Sequence, residues 1–85
     1  MKKKLIAGNW KMNGSLSANV SLLQAVLDGS QGMNCQAAVC VPAAYLAQVQ
    51  SMLSGQYLIA LGSQDVSAQE MGAYTGEISA GMLKD

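Results

Sequence analysis

The chain has 85 residues, which allows one domain at most, and 51% of them are hydrophobic, which excludes a disordered chain. Five lysines, no arginine and five acidic residues give a formal net charge of zero, without the basic excess typical of nucleic-acid binders. Histidine is absent. Catalytic triads, histidine-based acid–base catalysis and nearly all zinc-site spacings are therefore excluded for this chain alone.

The cysteines and the apolar runs bear on where the protein is found. Cys35 and Cys40 form neither a disulfide framework nor a CxxC pair, so we expect two small buried side chains in a reducing compartment. Residues 2–4 are lysines, but the apolar run that follows is too short for a signal peptide, and they are expected to form a solvated terminus. The stretch 37–47 is about half a bilayer span and contains Pro42. We expect a cytoplasmic protein without a membrane partner.

The first third of the chain predicts a strand followed by a helix. Residues 4–10 form a short apolar run bounded by lysines and polar residues, which is typical of a strand covered on both faces. Over 17–28 the apolar residues recur with helical spacing. Ser17 is the expected N-cap and Gly29 the expected stop. The predicted buried face is made of Val20, Leu23 and Leu27, with Leu22 and Val26 beside them.

The same alternation continues to the end. A second strand is predicted at 36–41, a helix at 43–53, a third strand at 58–62 and the first turns of another helix at 79–85, after an aperiodic stretch over 63–78. This order predicts an α/β fold made of βα units around a parallel sheet. Three parallel strands with two helices leave both sheet edges open. The chain is therefore expected to be the opening βαβαβ part of a larger α/β protein and incomplete on its own.

The segment GNWKMNG at 8–14 carries the strongest candidate site. Side chains alternate along a strand, so Ala7, Asn9 and Lys11 are predicted to share one side, near the carboxyl end where parallel α/β folds build their sites. A lysine there would attract an anionic substrate, and an amide beside it would position a carbonyl or hydroxyl. The alternative is an ordinary surface lysine after a strand. The P-loop and GxGxxG patterns are absent, so phosphate binding of those two kinds has no support.

The aperiodic stretch is a second candidate. Met71 and Tyr74 stand among small polar residues, which favours a protruding loop whose tip is buried against a partner. A mobile surface loop is the alternative. Asp65, Glu70 and Glu77 have no spacing that supports acid–base work, so they are interpreted as solvated groups or salt-bridge partners.

Three motifs together carry a resemblance to a known family. AGNWKMNG at 7–14, LGSQDVS at 61–67 and GAYTGEISA at 72–80 resemble the triosephosphate isomerases in order and in spacing. The resemblance extends over the whole chain, yet it accounts for about the first third of a (β/α)₈ barrel of about 250 residues. It implies that residues 1–85 are the N-terminal part of a single barrel domain.

The resemblance also implies a reaction and roles for two residues. Family members interconvert dihydroxyacetone phosphate and glyceraldehyde 3-phosphate, a glycolytic step, through an enediolate and without metal or organic cofactor. Lys11 matches the lysine whose charge favours the anionic substrate and the developing enediolate oxygen. Asn9 matches the amide that helps to bind the substrate.

The loop over 64–78 matches the segment through which family members form homodimers. In the family, the residue matching Thr75 reaches the active site of the neighbouring subunit and supports its catalytic groups. Residues expected at this interface are Gln64, Tyr74, Thr75, Gly76 and Glu77.

Important parts of the family's machinery have no match here. Its glutamate base, its neutral histidine and its closing loop are carried by later segments of the barrel. We therefore expect the 85-residue segment to be inactive alone. The alternative function is non-catalytic: a βα fragment that self-associates through its open strand edges and acts as a binding or assembly module.

Overall fold

Three parallel strands form one sheet in the computed structural model, which describes residues 4–85. β1 spans Leu5–Asn9, β2 spans Gln36–Val41 and β3 spans Ile59–Ser63, and they lie side by side in the order β1-β2-β3. Helices alternate with these strands along the chain. The predicted α/β fold class with a parallel, open sheet is confirmed. Lys2 and Lys3, predicted to be a solvated terminus, lie outside the described residues.

The register aligns the carboxyl ends of the strands. Asn9 at the end of β1 lies opposite Cys40 of β2, and Cys40 lies opposite Gly62 of β3. Residues that immediately follow the three strands are therefore delivered to one edge of the sheet. This edge carries the candidate site.

Helix α1 spans Leu16–Gly29 and begins earlier than predicted. Its N-cap is Ser15, not Ser17: the extended backbone of Ser15 lets its hydroxyl accept a hydrogen bond from the Ala18 backbone N–H at 3.1 Å. Ser17 already lies within the first turn. The helix includes Gly29 as its last residue, and Ser30 is its C-cap.

The buried face of α1 also differs from the prediction. Leu23 is buried as expected, but Val20 is 48% exposed and Leu22 is exposed as well. Asn19 takes the inner position instead and is 1% exposed. Its Nδ2 donates a hydrogen bond to Oε1 of Gln48 in the next helix, at 2.9 Å, which offsets part of the cost of burying the amide, while its Oδ1 has no partner among the described residues.

The second connection is not one continuous helix. A 3₁₀ turn spans Ala43–Tyr45 and α2 spans Leu46–Leu53, where a single helix over 43–53 was predicted. The turn is tight because the Tyr45 N–H donates to the Pro42 carbonyl at 2.9 Å, three residues back.

The core lies between these two helices and the strands β2 and β3. Its buried apolar members are Leu23, Val39, Val41, Val49, Leu53 and Ile59. None comes from β1, and the prediction that β1 is covered on both faces is wrong for this chain: all five of its residues are exposed. The radius of gyration is 14.0 Å, against about 12 Å for a compact domain of this length. Cys35 and Cys40 are free and half-buried rather than fully buried.

The stretch after β3 has no helix or strand until α3, Ala80–Lys84. The Ser67 N–H donates to the Ile78 carbonyl at 2.8 Å and brings the two ends of this loop together. The Ser79 hydroxyl caps α3 by accepting from the Met82 N–H. None of the helices between residues 4 and 85 is long and apolar enough to cross a membrane.

Candidate active site

Asn9, Lys11 and Gln64 meet at the carboxyl edge of the sheet. Asn9 ends β1, Lys11 lies two residues beyond it, and Gln64 directly follows β3. The Gln64 side chain reaches the segment that follows β1, where its Nε2 donates to the Lys11 carbonyl at 2.8 Å. Residues separated by more than fifty positions in sequence are thus joined into one cluster.

The backbone of Lys11 departs from the predicted strand geometry. β1 ends at Asn9, so the alternation expected for Ala7, Asn9 and Lys11 does not extend to the lysine. Lys11 instead adopts φ of 54°, in the left-handed region. Its N–H donates to Oδ1 of Asn9 at 2.8 Å, a local bond that asparagine commonly makes to the residue two positions on. This bond turns the chain sharply out of the strand.

Gln64 holds this turn by further hydrogen bonds. Besides the Lys11 carbonyl, its Nε2 lies 3.1 Å from the Cys40 carbonyl and 3.4 Å from Oδ1 of Asn9. An amide nitrogen has two hydrogens, so the two shorter distances are its main hydrogen bonds. The ends of β1, β2 and β3 are therefore tied together by one side chain. Sequence reasoning predicted Gln64 near a dimer interface and did not anticipate this contact.

Holding Lys11 in the left-handed region has an energetic cost. A non-glycine residue there stores strain of order 1–3 kcal/mol and persists only where its surroundings enforce the conformation. Here the N–H of Lys11 is bound by Asn9 and its carbonyl by Gln64. The result is a fixed backbone from which an exposed ammonium group projects.

The cluster can bind an anion with an adjacent oxygen. Lys11 supplies a positive charge, and the backbone from which its side chain extends is fixed by two hydrogen bonds. Oδ1 of Asn9 accepts from Lys11 and Gln64, and within residues 4–85 its Nδ2 donates to no protein acceptor. The Asn9 Nδ2 is therefore positioned to donate a hydrogen bond to a ligand oxygen. Such an arrangement stabilises negative charge on a substrate.

Gln64 is the one predicted interface residue that joins this cluster by hydrogen bonds within residues 4–85, although Gly76 and Glu77 line a pocket together with Gln64. Tyr74, Thr75, Gly76 and Glu77 are all exposed in the loop. The Glu77 N–H donates to the Tyr74 carbonyl at 3.0 Å, and Gly76 has φ of 89°, which forms a tight turn that favours glycine. The loop therefore presents a shaped, exposed tip.

A second set of contacts near the site was missed by sequence reasoning. The Tyr45 hydroxyl donates to the Gly14 carbonyl at 3.1 Å, and Nε2 of Gln48 donates to the Leu16 carbonyl at 2.7 Å. Both acceptors lie in or just after the loop that carries Lys11. The Asn-Gly turn at Gly14 was the only available signal, and it indicated a turn without indicating a partner for it.

The described residues offer no obvious metal centre. Among residues 4–85 there is no group of three or more histidine, cysteine, aspartate or glutamate side chains placed to hold an ion.

Comparison with known proteins identifies the family. The family model described as triosephosphate isomerase matches residues 4–85. The chain belongs to the triosephosphate isomerase family. The family named by the three sequence motifs is thereby confirmed.

Individual triosephosphate isomerases agree with this assignment. Those of Paracidovorax citrulli and Albidiferax ferrireducens are 61% and 58% identical to this chain over 99% and 100% of its length. The crystal structure of triosephosphate isomerase from Bartonella henselae superposes with a TM-score of 0.86 at 41% identity, over 98% of this chain. The chain spans about a third of the length of each of these relatives (34%).

Proposed function

We propose that this chain supplies the first third of a triosephosphate isomerase, an enzyme that interconverts dihydroxyacetone phosphate and glyceraldehyde 3-phosphate through an enediolate. The observation that carries the proposal is the cluster of Asn9, Lys11 and Gln64 at the carboxyl edge of the sheet, in a chain that belongs to this family. That edge is where (β/α)₈ barrels build their active sites.

Lys11 is proposed as the catalytic residue of this segment. Both the phosphate and the enediolate oxygen are negative, so an ammonium group held near them stabilises the substrate and, more strongly, the intermediate. Asn9 is proposed as the substrate-binding amide, with its Nδ2 donating to a substrate oxygen while its Oδ1 remains bound to the Lys11 N–H. In this arrangement one side chain binds substrate and positions the lysine.

The proton-transfer groups come from elsewhere in the barrel. This chain has no histidine, and Asn9, Lys11 and Gln64 include no carboxylate to act as the base. We propose that the base and the electrophile are supplied by the other two thirds of the barrel, so that the segment alone is inactive. The reaction needs no cofactor in this scheme. A cytoplasmic location remains the prediction made from the sequence.

Residues 1–85 are proposed to be the N-terminal part of a single barrel domain. The support is β1, whose apolar side chains Leu5 and Ile6 are 63% and 60% exposed. A parallel strand with this composition is normally covered on both faces. Further strands and helices of the barrel would supply that cover.

The homodimer is proposed to form through the loop 64–78. The supporting observation is the exposure of its tip, which includes Met71 and Tyr74, two large side chains outside the core. Thr75 lies beside Tyr74 and would reach the active site of the second subunit. Gly76 and Glu77 complete the turn that shapes this tip.

The test is a fusion barrel, in which this chain replaces the matching third of the Paracidovorax citrulli triosephosphate isomerase. We expect the fusion barrel to be active, and Lys11→Ala to lower kcat/KM by about 10²- to 10³-fold, the size seen when one stabilising donor is removed from an active site. Lys4→Ala is the matched control, because Lys4 is an exposed lysine that precedes β1 and lies outside the cluster. It is expected to leave kcat/KM unchanged.

The same experiment distinguishes the isomerase from the second candidate function, a self-associating binding module. The observation that favours the module is the exposed strand β1 at one edge of the sheet. A folded fusion barrel without activity, together with an isolated chain that forms a defined oligomer in sedimentation, would support the module and contradict the isomerase. An active fusion barrel that is insensitive to Lys11→Ala would remove Lys11 from the mechanism.

A further inference from the structure

The loop after Lys11 is closed by an unusually tight contact at Gly14. Gly14 has φ of +136°, and a Cβ placed there would lie 2.7 Å from Oδ1 of Asn19 and 3.0 Å from Cε2 of Tyr45. Real Cβ atoms essentially never approach another atom to 2.7 Å. The backbone of the loop is therefore pressed directly against α1 on one side and against the Tyr45 ring on the other.

Tyr45 also holds this backbone by a hydrogen bond. Its hydroxyl donates to the Gly14 carbonyl at 3.1 Å, and its ring packs against the buried core. The Tyr45 N–H is itself fixed to the Pro42 carbonyl in the 3₁₀ turn. Tyr45 lies in the segment between β2 and α2, and it thus fixes the end of the loop between β1 and α1.

A short series of bonds links this point to Lys11. Gly14 is preceded by Asn13, whose Nδ2 donates to the Trp10 carbonyl at 3.0 Å, across the turn that contains Lys11. The Trp10 N–H donates to the Cys40 carbonyl at 3.0 Å. The segment 10–14 is therefore held at its start by β2, across its middle by Asn13 and at its end by Tyr45.

The neighbouring contacts strengthen the same end. Nε2 of Gln48 donates to the Leu16 carbonyl, and Oε1 of Gln48 accepts from the buried amide of Asn19. Oδ1 of Asn19 has no hydrogen-bond partner among the described residues. This unpaired oxygen lies close to Gly14 and leaves no room for a side chain there.

We propose that Tyr45 is a positioning residue for the catalytic lysine: its hydroxyl fixes Gly14 and, through the loop 10–14, sets the direction in which Lys11 projects. The proposal rests on the function proposed above, since it gives Tyr45 an effect on catalysis only through Lys11. It assigns Tyr45 no contact with substrate. The loop that carries Lys11 is then held at two points, by Gln64 at the Lys11 carbonyl and by Tyr45 at the Gly14 carbonyl.

A double-mutant cycle in the fusion barrel tests the proposal. Tyr45→Phe removes one hydrogen bond and keeps the ring, and we expect a three- to tenfold lower kcat/KM, about the size of one hydrogen bond expressed as a rate. In the Lys11→Ala background the same substitution is expected to change kcat/KM by less than about twofold, because no lysine remains to be positioned. Tyr57→Phe is the matched control, since Tyr57 is 100% exposed.

Each outcome has a distinct meaning. A role in stability alone would lower kcat/KM by the same factor in both backgrounds, and this result would overturn the positioning role. An unchanged kcat/KM after Tyr45→Phe would also overturn it. If Lys11→Ala by itself has no effect, the proposed function fails first. Gly14→Ala provides a second variant, expected to lower kcat/KM more than Tyr45→Phe, again only where Lys11 is present.

Discussion

The strands β1 and β2 are neighbours in one sheet, yet β2 contributes two buried residues to the core and β1 contributes none. Val39 and Val41 of β2 are buried, Val41 with 0% exposure, whereas every residue of β1 is exposed, Leu5 and Ile6 included. Both strands are apolar and both are parallel members of the sheet. The difference therefore arises from what packs on them, because α1 and α2 supply the buried side chains that cover β2 and β3.

This contrast shows how far hydrophobicity alone determines burial. A short apolar run indicates a strand that can be covered on both faces, and it does so equally for β1 and β2. Only the arrangement of the helices decides which strand is covered within this segment. An exposed edge strand of a parallel sheet can pair with a further strand. This agrees with a chain that spans about a third of the length of the Paracidovorax citrulli relative.

The largest expected effect comes from Ile6→Ala measured in two settings. In the fusion barrel, where further elements cover β1, we expect the free energy of unfolding to fall by about 2–5 kcal/mol, the usual cost of truncating a buried isoleucine. In the isolated chain, where Ile6 is exposed, a change below about 0.5 kcal/mol is expected. Urea unfolding followed by circular dichroism measures both. A cost below about 0.5 kcal/mol in the fusion barrel would show that β1 stays uncovered there.

Val41→Ala provides the opposite pattern on β2. Its side chain loses two methyl groups, each worth about 0.8 kcal/mol of burial, so we expect a loss of about 2 kcal/mol once the cavity is included. Because Val41 is buried by elements within this chain, the loss should be similar in the isolated chain and in the fusion barrel. A large loss in the fusion barrel only would mean that the core of the segment forms only inside the complete barrel.

The smallest effect concerns the helix that connects the two strands. Ser15→Ala removes the N-cap of α1 and should lower the free energy of unfolding by about 1 kcal/mol. Ser17→Ala is the matched control, because Ser17 lies inside the first turn. This substitution is expected to cause no loss of stability and a gain of at most about 0.7 kcal/mol, since alanine is the better helix former. Thermal unfolding of both variants in the fusion barrel compares them. If Ser17→Ala lowered the free energy of unfolding as much as Ser15→Ala, Ser15 would not be the dominant N-cap of α1.

The candidate site was partly accessible from the sequence. Asn9 and Lys11 were expected at the carboxyl end of a strand, and the structure places both at that edge. The prediction that they share one side of a continued strand is wrong, because the strand rule of alternation ends where Asn9 turns the chain. No local pattern could reveal that Gln64 would bind the Lys11 carbonyl, since the two are joined only after β3 pairs with β2.

The sequence by itself determined the order of strands and helices, the parallel sheet and the family. Each of these depends on local periodicity or on short motifs, which survive without knowledge of the folded chain. Tertiary structure alone decided which face of α1 is buried, why β1 stays exposed and how Lys11 is held. The reason is physical. The left-handed backbone of Lys11 is strained when considered alone. It persists because Gln64, which directly follows β3, the strand two places from β1 in the sheet, donates a hydrogen bond to its carbonyl oxygen.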